Sequence, residues 1–170
     1  PLNSATVRPN KVVPRSDQYV GIATYRGSGT THQKIILGFK PDLVWTKSRT
    51  NAENHALFDS VRGPTKFLRS DSSDDEYTIS NVNFTSKGFS FANGSGEICE
   101  SGQSYVGLAW KAGGNKNTFN VDDVGYATFA ASGTTAGTIT PTGTSIGTKQ
   151  GFSIIKYTGT GSAATLPHGL

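Results

Sequence analysis

The chain has 170 residues, a formal charge of +4 and one cysteine. That length suffices for one well-buried core and fits a single domain. The lone Cys99 excludes an internal disulfide and a cysteine-built zinc site, and no run approaches the roughly 20 apolar residues of a membrane helix. Gly, Thr and Ser supply 60 of the residues and Met none, a composition suited to short strands and tight turns, not to helical bundles.

Residues 1–18, with three prolines and three cations, lack any hydrophobic period and read as an extended arm, with Arg8, Lys11 and Arg15 as candidate docking residues. Short apolar segments follow. YVGIATY (19–25) predicts a strand, RGSGTT a Gly-rich hairpin turn, and QKIILGF (33–39) the next strand. PDLVWTKSR (41–49) places apolar groups on both sides of the pleat, as in a strand covered on both faces, with Pro41 at its first position. HALFDSVRG (55–63) predicts a strand ending at Gly63-Pro64, after which KFLRSDSSDDE runs into an acidic loop. Residues 77–93 predict two strands turning at Ser86-Lys87-Gly88, the second half-buried through Phe89 and Phe91. SYVGLAWKAGG (104–114), with Tyr105, Val106, Leu108 and Trp110, is the best central strand. The Gly/Thr-rich stretch beyond it predicts turns and exposed strands, GTITPT foremost, before a final strand over 151–159. No window shows a 3.6-residue period. About ten short strands between regular turn signals predict an all-β fold, an antiparallel β-sandwich or jelly roll.

Charge is unevenly spread: residues 1–69 hold eleven Lys/Arg against four acids, and residues 70–100 six acids against one Lys. The cations stand singly along alternating strands, which argues against a nucleic-acid interface. Asp71, Asp74, Asp75 and Glu76 are the candidate Ca²⁺ ligands, although their spacing is not that of an EF-hand loop and a solvated acidic loop accounts for them. His32, His55 and His168 lack zinc-ligand spacing. No Gly-x-Ser-x-Gly elbow accompanies His55 and Asp59, and Glu97 with Glu100 fits a structural role better than a glycosidase pair. RGSGTT lacks the Lys and the helix of a phosphate loop. Cys99 suits a buried apolar filler, and Arg62 is placed to pair locally with Asp59. The sequons Asn83-Phe84-Thr85 and Asn93-Gly94-Ser95 follow no secretory leader and carry no weight. Trp45, Trp110, Tyr25 and Tyr105 fit core packing better than a sugar platform. The residues predict no catalysis, metal or cofactor.

The chain begins to repeat itself. Tyr25, Gly27 and Gly29 recur as Tyr157, Gly159 and Gly161 at an offset of 132, and Gly38-Phe39 recurs as Gly169-Leu170 after a one-residue deletion. Residues 151–170 therefore read either as the start of a second unit or as a closing strand beside 19–25; one complete domain fits.

Six strings in order, GFKPDLVWTKSRT, HALFDSVRG, SYVGLAWKAGG, KNTFNVDDVGYAT, TPTGTSIGTKQGFSIIKYTGTG and LPHGL, resemble a repeat domain of tail-fibre-like and other virion structural proteins of marine tailed phages, cyanophages among them. The resemblance covers residues 19–170. It implies a concanavalin-like jelly-roll sandwich on the particle exterior, made in the host cytoplasm. The expected partners are other virion proteins, further copies of the chain (trimers, as is usual for fibres) and a host-surface glycan. No invariant ligand site comes with the resemblance. A capsid decoration protein and a carbohydrate-binding module are the alternative readings, with loops 71–76 and 130–148 as the expected exposed contacts.

Overall fold

The computed structural model describes residues 16–170, so the arm and its candidates Arg8, Lys11 and Arg15 lie outside the described residues. Thirteen strands follow a 3₁₀ turn at Ser16–Gln18: β1 (Val20–Arg26), β2 (Gln33–Ile36), β3 (Leu43–Ser48), β4 (Ala56–Asp59), β5 (Gly63–Leu68), β6 (Tyr77–Thr78), β7 (Val82–Thr85), β8 (Gly88–Phe91), β9 (Ser104–Trp110), β10 (Phe119–Val121), β11 (Val124–Tyr126), β12 (Gly143–Gly147) and β13 (Phe152–Lys156). They form a six-stranded sheet in the order β1-β9-β3-β4-β5-β6, a three-stranded sheet β2-β8-β7, and a four-stranded sheet β11-β10-β12-β13. The molecule is all-β and a sandwich, as the composition predicts.

The core lies between the six- and three-stranded sheets. Period-two alternation turns Val44, Phe58, Phe67 and Ala109 inward from the large sheet to meet Ile35, Val82, Phe89 and Phe91 of the small one. Aromatic pairs bridge the layers: Tyr25 lies 6.1 Å from Phe91 and Phe58 lies 6.4 Å from it, within the 4.5–7 Å range of favourable ring contacts. Two hydroxyls enter this core already paired. Tyr25 donates to the Ile98 carbonyl at 2.8 Å, and Tyr105 donates to the Gly96 carbonyl at 2.7 Å while accepting from the Glu100 N–H at 3.0 Å. Burial pushes both phenols above their ordinary pKa, Tyr25 well above it.

Several expectations are corrected. Gly63-Pro64 opens β5 instead of ending the preceding strand, because three turn residues, 60–62, already close β4. Pro41 lies before β3, where its missing N–H costs no ladder bond. RGSGTT is no hairpin turn: β1 and β2 belong to different sheets, and the loop instead packs on residues 99–103, with the Gly27 N–H on the Gln103 carbonyl at 2.8 Å. β8 is buried at every position, the small Ser90 included, and not half-buried.

The Gly/Thr region holds the largest surprise. GTITPT is not a strand; the next five residues, GTSIG, form β12, and all five are buried. Small residues serve there because backbones approach closely: a Cβ on Gly113 would stand 2.3 Å from the Ile146 carbonyl oxygen. β12 also pairs parallel with β10, the exception in an otherwise antiparallel topology, and the long excursion through β11 and the 3₁₀ turn Ala130–Ser132 makes the crossover that a parallel pair requires. Asp42 ties this third sheet to the sandwich. Its buried carboxylate accepts the Ala112 and Gly114 N–H groups at 2.8 and 3.1 Å, and Gly114 in turn accepts the Ser145 hydroxyl at 2.7 Å.

Two glycine pairs of the internal similarity share a backbone conformation. Gly29 and Gly161 share a left-handed φ of 67° and 70°, as do Gly38 and Gly169 at 92° and 72°. The second copy does not close the sandwich beside β1, however: β13 pairs with β12, and the neighbour of β1 is β9. Tyr25 is half-buried with its hydroxyl bonded, whereas Tyr157 stands 51% exposed.

Candidate functional site

The alternation that builds the core also fixes what the outer face of the large sheet presents. Register places Ile22 opposite Leu108, Leu108 opposite Trp45, Trp45 opposite Leu57, and Leu57 opposite Leu68. Five apolar side chains thus lie in one row across five adjacent strands, about 19 Å at the usual strand spacing. Ile22 and Leu68, at its ends, are 68% and 41% exposed, with the three between them half-buried. A parallel row, Val20, Trp110 and Leu43, runs beside it and is partly roofed by the third sheet, where Trp110 stacks on Phe152 at 6.2 Å.

Trp45 is held in place. Its Nε1–H donates to His55 Nδ1 at 2.8 Å, and the His55 backbone N–H is fixed on the Asp71 carboxylate at 3.1 Å. At one end of the row Leu57 and Leu68, joined by Leu43 of the second row, face Ile154, Ile155 and Tyr157 across a groove of about 340 Å³. The groove also reaches Asp59 and Arg62, which form the local pair expected of them. The Arg62 guanidinium donates further to the Leu57 carbonyl at 2.9 Å. The arrangement suits contact with another surface: an apolar strip with charged groups at its margin, held on rigid strands.

Three of the four acidic-loop candidates face different partners, and Asp75 is exposed. Asp74 pairs with Arg69 at 3.1 Å and accepts the Tyr77 hydroxyl at 2.9 Å; Glu76 pairs with Lys66 at 2.7 Å and Arg62 at 3.5 Å; Asp71 is the acceptor of the His55 N–H. Hydrogen bonds from Ser72, Tyr77 and Arg69 hold the Asp74 carboxyl below its ordinary range, and Lys66 does the same for Glu76. Among the described residues no group of three or more His, Cys, Asp or Glu converges as metal ligands would. Arg69 is the hub of this corner: it forks onto Glu97, reaches Asp74, and lies 3.9 Å over the Tyr77 ring.

The other candidates separate. Glu97 serves Arg69 and Ser95, while Glu100 accepts from Asn51 at 3.1 Å. Cys99 is buried, with its Sγ 3.3 Å from Gln33 Oε1. Of the four aromatic candidates, Tyr25 and Tyr105 pack against the core, as expected, but Trp45 and Trp110 lie on the outer face. Sequence reading missed the row because its members lie far apart in the chain and only strand register brings them together.

Sheets of this order, a two-layer core with a third sheet on its outer side, define a β-sandwich domain. The chain belongs to the family described as Domain of unknown function (DUF7483), whose model matches residues 15–170. No curated protein and no solved structure matches it. Among the described residues no helix is long and apolar enough to cross a membrane.

Proposed function

We propose that this chain is a non-enzymatic structural protein of a tailed-phage particle, part of a tail fibre or similar appendage on the virion exterior, working through assembly and host-surface attachment. The apolar row Ile22–Leu108–Trp45–Leu57–Leu68 carries this reading. An antiparallel sheet that only closes its own core puts polar groups on its outer face; here five consecutive strands present apolar ones, and each Å² left in water forgoes about 25 cal/mol. The natural cover is a further copy of the chain, as in a fibre, where symmetric contacts repeat one surface. The resemblance of six sequence strings to tail-fibre-like virion proteins supports the same assignment.

Light scattering coupled to gel filtration tests it. The wild-type protein is expected to form a homo-oligomer and Ile22→Asp to dissociate it. A wild-type chain that stays monomeric at every concentration, and fails to cross-link to other proteins in purified particles, would sink the proposal.

A further inference from the structure

Away from the apolar row, two adjoining clefts share Tyr19, Lys111 and Asp123. The larger, of about 510 Å³, adds Gln18, Lys40 and Ser86; the smaller, of about 50 Å³, adds Lys149 and Gln150. Their joint size falls within the range of small-molecule sites.

The shared wall is preorganised. Asp122 and Asp123 are the two turn residues between β10 and β11, and both adopt left-handed φ, 49° and 67°. A two-residue hairpin of this kind normally takes Asn-Gly or Asp-Gly; a second aspartate in place of the glycine is a strained choice, and strain of this sort gathers at functional sites. Asp122 secures the turn by accepting the Thr148 N–H at 2.9 Å and the Thr148 hydroxyl at 2.5 Å. That leaves Asp123 to face the cleft. Its carboxylate accepts Lys111 Nζ at 2.9 Å, yet its side chain is 47% exposed. The carboxylate sits where a side chain on Gly114 would stand, 2.6 Å from the absent Cβ, and Asp42 holds the Gly114 N–H. Gln150 is fixed through its Nε2 on the Lys111 and Ala112 carbonyls at 3.1 and 2.7 Å. Among the described residues, Lys40 Nζ meets a neutral acceptor, Asn115 Oδ1 at 2.9 Å.

We infer that this cleft binds one unit of an acidic saccharide. Three features specify the class. A half-exposed carboxylate on a rigid turn takes the paired O–H donors of a vicinal diol. Lys40 and Lys149 supply point charges for a sugar carboxylate. Tyr19 offers a ring with one apolar body and a polar tip, the usual bed for a pyranose face. The inference deepens the attachment half of the function proposed above, and rests on that reading only for where the glycan comes from.

The test is a ¹H–¹⁵N NMR titration of the intact chain with glucuronate, galacturonate, mannose and inorganic phosphate as separate probes. A uronate is expected to shift the Tyr19, Gly114, Asp123 and Gln150 amides saturably in the millimolar range, with mannose weaker. Asp123→Asn keeps the size of the side chain and its tolerance of left-handed backbone, so the fold survives; it should weaken uronate binding about ten-fold or more, the loss of a charge-assisted hydrogen-bond pair. Tyr19→Ala should weaken it as well. The inference is overturned if no sugar shifts these amides, if Asp123→Asn binds unchanged, if mannose matches the uronates, or if phosphate alone reproduces the effect. Light scattering on the same samples reports the oligomer, so a failed site leaves the assembly reading standing, and a failed assembly leaves the site.

Discussion

Replacing Asp42 by alanine isolates the joint between the sandwich and the third sheet. The carboxylate is 1% exposed and one of its oxygens accepts two backbone N–H groups, of Ala112 and Gly114. Removing it leaves both donors unpaired, that of Ala112 away from water and that of Gly114 in a half-buried position. Each unsatisfied buried donor costs about 1–3 kcal/mol, and a charged acceptor places the loss in the upper part of that range. Two donors sharing one oxygen are not additive, so the expected loss is about 3–4 kcal/mol. In urea, with a slope of about 2 kcal/mol/M for a domain of this size, the unfolding midpoint should fall by about 1.5–2 M at unchanged slope. Asp42→Asn, which keeps an acceptor oxygen, should lose about half as much. A loss below about 1 kcal/mol for Asp42→Ala would refute the reasoning, because it would mean that water or a shifted backbone satisfies both donors.

Other outcomes follow from the same geometry. Ile22→Asp, on an exposed strand position, should change the unfolding free energy of the monomer by less than about 0.5 kcal/mol while abolishing self-association, which separates its interface role from a core role. Asp74 and Glu76 have folded pKa values below their unfolded ones, so the unfolded chain takes up protons first as pH falls. Their contribution is present at neutral pH and is lost below about pH 4. Urea midpoints measured down the acid limb should fall less steeply in Asp74→Asn. Tyr25 and Tyr105 are shifted upward, so their stabilising effect is complete below the ordinary tyrosine pKa and lost as pH rises past it. By ultraviolet absorbance, Tyr25, Tyr105 and, through its hydrogen bond to Asp74, Tyr77 should ionise above the ordinary tyrosine range, Tyr25 furthest above it.

The strands themselves were legible where apolar residues alternate with small or polar ones. β1, β3, β9 and β13 fall within a few residues of their expected ranges because Tyr, Trp, Val and Ile on a period of two point to one backbone conformation. β12 was illegible as core because GTSIG carries the composition of an exposed turn; its burial comes from close backbone approach, which a hydrophobic pattern does not record. Trp45 and Trp110 looked like core by residue type, but parity with Val44 and Ala109 places them on the opposite face. The Arg62–Asp59 pair was readable because it is local. Asp42 with Gly114, and the row from Ile22 to Leu68, join residues dozens of positions apart, and no spacing rule reaches that far.

The order β1-β9-β3 has a consequence for how the chain comes to be folded. The first and third strands share no ladder; each is zipped to the ninth, which inserts between them. During synthesis both must therefore wait, edges open, until Trp110 has emerged, and loop closure over that span makes the step slow. Exposed as they are, with Val20 and Ile22 on one and Trp45 on the other, they are natural captives of a neighbouring chain doing the same. The hazard of mispairing on the ribosome arises here from that one strand order.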